Sequence, residues 1–183
     1  MSAEPPIDEP VSVVRHDECW ELQATRLIDE VSRITRARTV QHIGSTAVPG
    51  LSAKPIIDLM ADVGGADRDA AAQRLTEAGF TDFGEISEGR RYLIRRSAPA
   101  TNVHFIDASS SLWSDNLVFR DYLRAHPEAA SAYDEAKHNA SRTGRLLAYS
   151  DAKEPLVREI MNTARAWRVE LKEAGFNPDQ ARP

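Results

Sequence analysis

The sequence predicts an α+β fold, in which a mixed β-sheet with flanking helices precedes a C-terminal helical region. Three observations lead to this fold class: helical spacing before residue 39, strand-like runs with one helix among them over residues 39–107, and helical spacing alone after them. A chain of 183 residues fits the usual size of one domain, so we expect a single domain.

The first predicted element is an amphipathic helix from Asp17 to Arg38. Its apolar side chains recur at steps of three and four, which places them on one face. They are Trp20, Ala24, Leu27, Val31 and Ile34. The preceding residues 1–13 are acidic and contain prolines, so we expect a disordered tail there. They lack the positive and apolar blocks of a secretory signal, which favours a cytoplasmic protein.

Five runs rich in β-branched and aromatic residues are predicted strands. They span residues 39–43, 55–63, 80–87, 90–97 and 101–107. A helix predicted over 67–78, ended by Gly79, separates the second strand from the third. We expect the third and fourth strands to form a hairpin.

The C-terminal part is predicted to be helical throughout, with Pro127 opening the middle helix and Gly144 ending it. The three helices span 111–125, 127–141 and 151–174. We expect a core over residues 14–108, on which residues 109–175 pack as part of the same domain, and a tail over 176–183.

Composition and charge exclude several classes of function. Lys and Arg total 23 and Asp and Glu total 28, so the net charge of −5 argues against broad binding to nucleic acid or to an anionic membrane. No apolar run approaches the roughly 20 residues of a membrane span. Cys19 is the sole cysteine, which excludes an intramolecular disulfide, and its helical context predicts a buried thiol. We expect a monomer or a small homo-oligomer.

The most informative stretch is HIGSTAVPGLSAKPIID, residues 42–58. Backbone N–H groups at a tight turn bind phosphate, glycine permits a close approach, and a serine hydroxyl adds a donor. Gly44 and Ser45 have this form, although such a pair is often only a turn. Lys54 and Asp58 follow, so that a phosphate cradle, a counter-charge and a metal ligand lie within 15 residues.

Strand periodicity places Asp58 and Met60 on the same face of their strand. Asp62 is about 13 Å further along, too far to share one metal ion with Asp58, and is expected to end the strand. If the 101–107 strand pairs beside this one, either His104 or Asp107 can converge with Asp58.

The stretch HIGSTAVPGLSAKPIIDLM resembles the signature of the GrpB family. The likeness continues through VHF at 103–105, through FRDYLRAHPEAASAYDEAK at 119–137 and over 149–153, and it spans roughly residues 14–168. The GrpB family in turn resembles the DNA polymerase beta-like nucleotidyltransferase superfamily. This resemblance implies a nucleotidyltransferase-like fold that binds ATP or another nucleoside triphosphate with Mg²⁺ and transfers a nucleoside monophosphate.

The resemblance also implies roles for individual residues. Asp58 is expected to hold Mg²⁺, Lys54 to offset the charge of the triphosphate, and His104 to act as a base or second ligand. The Gly-Ser-Thr turn is expected to hold the triphosphate through Gly44, Ser45 and Thr46.

One departure from the superfamily pattern concerns the carboxylates. Met60 stands where a second carboxylate is expected, and His104 stands in the third position. Neither suits Mg²⁺, which prefers oxygen ligands, so a two-metal mechanism is incomplete. A single Mg²⁺ held by Asp58 and the triphosphate remains feasible.

Other candidate residues carry alternatives. His42 is either a partly buried strand histidine or part of the site. Four arginines flank the residues YLI at 92–94; they are Arg90, Arg91, Arg95 and Arg96. They form either a solvated edge of the sheet or a phosphate site. Arg91 is the preferred member of such a site, because it matches a basic position of the family.

Two Tyr/Lys pairs at a spacing of four residues suggest a helical wall beside the nucleotide. Lys137 follows Tyr133 and Lys153 follows Tyr149, so each pair shares a helix face. Both lysines are either lent to the nucleotide cleft or lie on the surface.

Two functions from different classes remain. The first is an enzyme that transfers a nucleotidyl group from a nucleoside triphosphate to a small-molecule or protein acceptor, or activates that acceptor for ligation. The alternative is a degenerate fold that binds a nucleotide or phosphorylated metabolite without turnover. A link to coenzyme A metabolism is also implied, because the family's domain occurs fused to dephospho-CoA kinase.

Overall fold

In the computed structural model, residues 10–142 and 144–176 are described, and they form a five-stranded mixed sheet with flanking helices. The helices are α1 (Cys19–Thr35), α2 (Arg68–Glu77), α3 (Ser111–Ala125), α4 (Pro127–Ser141) and α5 (Leu146–Glu173). The strands are β1 (Thr39–Ile43), β2 (Ile57–Asp62), β3 (Thr81–Ser87), β4 (Arg90–Arg95) and β5 (Thr101–Phe105). The predicted fold class is confirmed.

The spatial order of the strands is β1-β2-β5-β4-β3. Strands β2 and β5 run parallel, and the other neighbours are antiparallel. Two register pairs matter for the site: Asp58 lies opposite Ile43 of β1 and opposite Asn102 of β5. The strand that carries Asp58 therefore lies inside the sheet, between β1 and β5.

One face of the sheet packs on α1 and α2. The apolar stripe that predicts α1 buries Trp20, Ala24, Leu27 and Val31. Against this stripe lie the alternate side chains of the central strands, which are Leu59, Ala61, Val103 and Phe105. The period of two along each strand thus assigns one set of residues to this core.

The opposite face of β1 and β2 is covered by the C-terminal helices. Met60 and Ile43 pack there against Trp113 and Leu117 of α3. A third cluster joins α3, α4 and α5 to the loop after β1 through Val48 and Leu51. The loop that carries the Gly-Ser turn is therefore anchored by the helices over it.

The β3–β4 hairpin is present as expected. Its register shifts between Asp82 and Glu85, around Gly84, whose φ of 70° is left-handed. Glycine adopts this conformation without steric cost, which is why it is common at bulges.

Several details differ from the sequence predictions. Cys19 is exposed in the first turn of α1, so the prediction of a buried thiol was wrong. The last helix begins at Leu146, five residues before its predicted start at Asp151, and continues through Pro155. The predicted tails fall largely outside the described residues, although the N–H of Val11 donates to the carbonyl of Gly144 at 3.1 Å. No helix in the described part of the chain is long and apolar enough to cross a membrane.

We predict that Phe105→Ala destabilises the protein strongly. Its ring is fully buried between the sheet and the first two helices, and removing it leaves a cavity, at a cost of about 3–5 kcal/mol in the free energy of unfolding. Urea denaturation followed by circular dichroism measures the change. The control is Ile86→Ala, because Ile86 is 48% exposed. Comparable losses of unfolding free energy in the two variants would contradict the central place of Phe105 in the core.

Candidate active site

The candidate site is built around the contact between Gly44 and Asp58. Gly44 directly follows Ile43, which pairs with Asp58, so the chain turns over the carboxylate. A β-carbon placed on Gly44 would lie 2.8 Å from the Oδ2 of Asp58, and the φ of Gly44 is 73°. Both the close approach and the left-handed backbone require glycine at this position.

Polar side chains of β5 fix the other side of the carboxylate. The Nδ2 of Asn102 donates to the Oδ1 of Asp58 at 2.6 Å, and the Nε2 of His104 lies 3.6 Å from the same oxygen. Arg96 in turn donates to the Oδ1 of Asn102 at 3.0 Å. The His104 ring stacks on Tyr92 of β4, with 4.9 Å between centroids. The carboxylate is held in one orientation by this network.

The surroundings keep Asp58 ionised. Burial acts to raise the pKa of Asp58, but the interaction with His104, the charge of Lys54 and the bond from Asn102 outweigh it, so the pKa lies below its ordinary value. A fixed negative charge at the base of a pocket suits a cation or a cation-bound ligand.

A cleft of about 170 Å³ opens above Asp58. It is lined by Gly44, Ser45, Thr46, Ala53, Lys54, Ile56, Asp58, Phe119, Tyr133, Tyr149 and Lys153. Turn, loop and helices α3 to α5 therefore enclose the cleft from three sides.

Two of the predicted lysines reach this cleft. The Nζ of Lys153 lies 4.3 Å from the centre of the Tyr149 ring, and the Nζ of Lys54 lies 6.0 Å from the same centre. Burial lowers the pKa of Lys153, while Asp58 acts to raise it. Two cations and one carboxylate thus share a small, partly buried volume.

The tyrosines of the wall, Tyr133 and Tyr149, are buried. Burial raises the pKa of Tyr133 to about 12, although Ser45 acts to lower it. Burial also raises the pKa of Tyr149. Both phenols therefore stay neutral at ordinary pH.

Lys137 neither lines the cleft nor lies on the surface, so both alternatives of the sequence analysis were wrong for this lysine. Its side chain is 0% exposed, and its Nζ donates to the carbonyl of Ser52 and lies 3.4 Å from Asp134. Asp134 also accepts from the N–H of Ser52 at 2.9 Å. Lys137 therefore anchors the loop that carries Lys54 instead of contacting a ligand in the cleft.

His42 lies on the far side of the turn from Asp58. Strand alternation pairs it with Leu59, on the α1 side of the sheet, and its Nε2 shares a 2.9 Å hydrogen bond with the Oγ1 of Thr46. Burial lowers the pKa of His42 to about 4, although Asp58 acts to raise it. His42 also lines a second cavity of about 530 Å³ beside the start of α1. It supports the turn through Thr46.

Arg91 is likewise not brought to the cleft. It faces α2, where its guanidinium binds Asp82 at 2.6 Å and also pairs with Asp69. Arg95 shares that face and binds Glu30 of α1 at 2.7 Å. The alternation of β4 instead turns Arg96 toward Asn102 and Arg90 to the same face, so the basic residues on the Asp58 side are ones that the sequence analysis did not select.

Asn102 is the site residue that sequence reasoning missed. Asn102 lies two positions before His104, so both side chains are on the same face of the strand. This much can be predicted from the periodicity of a strand. Periodicity does not predict the parallel register of β2 and β5, which sets Asn102 directly opposite Asp58.

The carboxylate set fits one Mg²⁺ ion at most. The described residues contain no group of three or more His, Cys, Asp or Glu side chains that could hold a metal. Met60 is fully buried among apolar side chains, so no ligand can be recruited at its position. Mg²⁺ commonly takes only one or two protein carboxylates beside phosphate and water, and Asp58 meets that need.

A strand, a Gly-Ser turn and a second strand with an aspartate at its second position, all within a five-stranded mixed sheet that helices cover, define an α+β protein. The family described as GrpB protein matches residues 10–163 of the chain. The chain belongs to the GrpB family.

Known relatives agree with this assignment. The crystal structure of conserved protein GrpB from Enterococcus faecalis is 28% identical and covers 85% of this chain and 99% of that one, with a TM-score of 0.77. UPF0157 protein YqkA of Bacillus subtilis is 32% identical over 134 residues, which are 70% of this chain and 39% of that protein. A dephospho-CoA kinase of Mycolicibacterium paratuberculosis is 31% identical over 194 residues, which cover 86% of this chain and 47% of the kinase. The chain thus spans less than half of these last two relatives.

We predict that Gly44→Ala destabilises the protein more than Gly50→Ala does. Both glycines have left-handed φ values, 73° and 78°, so each alanine costs about 1–2 kcal/mol of backbone strain. Only at Gly44 does the new methyl group meet Asp58, since nothing lies within 4 Å at Gly50. Overpacking adds roughly 1–3 kcal/mol there.

Urea denaturation of both variants tests this pair. Equal losses would show that Asp58 can move away from the turn, contrary to the close contact described above.

We predict that Lys137→Met removes part of the pH dependence of stability. Burial lowers the pKa of Lys137 to about 8 from 10.5, so between these values the unfolded chain holds a proton that the folded chain has released. Wild-type stability therefore gains from Lys137 as the pH rises from 8 to 10.5, and this gain is absent from the variant. Urea denaturation across that range measures both curves, and parallel curves would contradict the prediction.

Proposed function

We propose that the chain binds a nucleoside triphosphate together with Mg²⁺ in the cleft above Asp58 and transfers the nucleotidyl group to a small-molecule or protein acceptor. The observation that carries the proposal is the contact between the Gly44 turn and the ionised Asp58, with two lysines in the same cleft. The turn can bind phosphate, and the carboxylate beside it can bind a cation. These are the two components of a metal-bound triphosphate.

Each cleft residue has a role in this proposal. Gly44, Ser45 and Thr46 line the wall that receives the triphosphate. Lys54 and Lys153 offset the phosphate charge. Such positioning and charge stabilisation account for most of the catalysis in phosphoryl and nucleotidyl transfer.

Asp58 would hold the Mg²⁺ ion, which when bound neutralises charge that develops on the phosphate oxygens. The bond from Asn102 occupies part of Oδ1 and fixes the direction of the second oxygen, Oδ2, toward the turn. The protein therefore presents one oriented carboxylate beside the triphosphate wall.

His104 is the proposed base. Its ring is held between Tyr92 and Asp58, with Nε2 on the carboxylate side. An acceptor hydroxyl or carboxylate attacks the α-phosphorus, pyrophosphate leaves, and a hydroxyl proton passes to His104. If the acceptor is a carboxylate, the resulting acyl-nucleotide can be captured by an amine, which is the ligation variant.

A second candidate function is binding without turnover. The buried Met60 favours it, because the missing second carboxylate removes the clamp that two-metal enzymes use. In this form the cleft recognises a nucleotide or phosphorylated metabolite. The match to a dephospho-CoA kinase makes coenzyme A metabolism the proposed setting for such a ligand.

We predict that ATP, GTP, CTP or UTP binds in a Mg²⁺-dependent manner and that Asp58→Ala removes this dependence, because the variant lacks the oriented carboxylate. Lys54→Ala should weaken binding by roughly tenfold, since it removes one charge-assisted contact to phosphate. Calorimetric titration with and without Mg²⁺ measures both effects.

Two exposed residues supply matched controls. Asp29→Ala on α1 and Lys172→Ala on α5 make the same changes of charge away from the cleft. No binding by any triphosphate would refute the transferase and would leave, of the second function, only the binding of a phosphorylated metabolite. Binding that Asp58→Ala leaves unchanged would favour the binder over the metal-assisted enzyme.

A further inference from the structure

We propose that the face of β5, β4 and β3 beside Asp58 binds a second substrate that carries a planar ring and an anionic group. This inference rests on the proposed function, for which it names the chemical class of the acceptor. It is carried by a row of aromatic rings on that face and by two arginines that flank the row.

The aromatic row consists of Phe83, Tyr92 and His104. Tyr92 stacks on His104 at 4.9 Å between centroids with 24° between the ring planes, and Phe83 lies 6.0 Å from Tyr92 at 36°. Each of the three residues is only partly buried. Nearly parallel rings that remain partly accessible can stack with a further planar ring.

Within residues 10–142 and 144–176, no helix packs on this face of β5, β4 and β3. Helices α1 and α2 pack on the opposite face, and α3 packs on β1 and β2, where it buries Met60. The aromatic row lies beyond that contact, because β4 and β3 are the two strands furthest from β1 in the sheet. A ligand on the row therefore does not compete with the core.

Positive charge accompanies the row. Arg96 lies on the same face and binds Asn102 through one guanidinium nitrogen. Arg90 lies at the other end of β4, and its Nε is buried without a hydrogen-bond partner among the described residues. Asp58 is within electrostatic reach of Arg90. In a protein with a net charge of −5, two arginines on one accessible face favour an anionic ligand such as a carboxylate or phosphate.

The strand order separates this surface from the triphosphate wall. The Gly44 turn leaves the sheet from β1, and the aromatic row begins on β5, so Asp58 on β2 lies between them. His104 belongs to the row and also lies 3.6 Å from Asp58. An acceptor on the row therefore has its near end beside the proposed base and the carboxylate.

We expect 2-naphthoate to bind the full-length protein. Phe83→Ala should weaken its affinity roughly fivefold, because the substitution removes one stacking ring. Arg90→Gln should weaken it by about tenfold, because a charge-assisted contact is lost. Ligand-detected NMR titration in the absence of nucleotide gives the dissociation constants. Neither substitution touches the triphosphate wall, and circular dichroism with urea denaturation verifies that both variants fold.

Three related probes and one competitor separate the chemical features. 2-Naphthyl phosphate distinguishes a phosphate from a carboxylate, and tighter binding by either anion supports the proposal. Neutral 2-naphthol lacks the charge, and decahydro-2-naphthoate lacks the planar ring, so both should bind more weakly. Mg²⁺ with ATP should not displace 2-naphthoate, since the two sites are separate.

Matched controls lie on α1, across the sheet from the row. Leu22→Ala removes an exposed apolar side chain and Arg26→Gln removes an exposed charge. The proposal is overturned if 2-naphthoate fails to bind, or if these control variants lose as much affinity as the row variants. It is also overturned if 2-naphthol or decahydro-2-naphthoate binds as tightly as 2-naphthoate. Displacement by Mg²⁺ with ATP would assign the row to the nucleotide and also overturn it. Because the titration uses no nucleotide, failure of triphosphate binding is a separate result.

Discussion

The close contact between Gly44 and Asp58 is the constraint on which the candidate site depends. The antiparallel register of β1 and β2 sets the end of β1 opposite Asp58, and the absence of a side chain on Gly44 lets the chain turn directly over the carboxylate. A β-carbon at this position would lie 2.8 Å from the Oδ2 of Asp58, so any other residue requires the carboxylate or the turn to shift. The glycine is therefore needed by the protein's own carboxylate before any ligand is considered.

The rest of the site is organised to hold this contact in place. Asn102 and His104 fix the carboxylate from β5. Lys137 stabilises the loop further from Asp58, because its buried amine donates to the carbonyl of Ser52, just before Lys54. A buried cation is costly unless it is hydrogen-bonded, and the bonds to Ser52 and Asp134 meet that requirement.

The two faces of the sheet divide the polar residues between structure and function. On the face that meets α1 and α2, Arg91 and Arg95 form ion pairs that tie the sheet to the helices. On the other face, Arg96, Asn102 and His104 converge on Asp58. Residues adjacent in sequence thus have opposite purposes, because successive side chains of a strand point to opposite sides.

The sequence by itself determined the fold class, the strands and helices in order, and the placement of Gly44, Ser45, Lys54 and Asp58 around one turn, because these follow from local periodicity and turn chemistry. It also placed Met60 on the same face of its strand as Asp58. Only the tertiary structure decided that Asn102 is the partner of Asp58, that Arg91 and His42 face away from the cleft, and that Lys137 is buried while Lys153 lines the cleft. These outcomes depend on strand order, register and helix packing, which join residues far apart in the chain and leave no local pattern in the sequence.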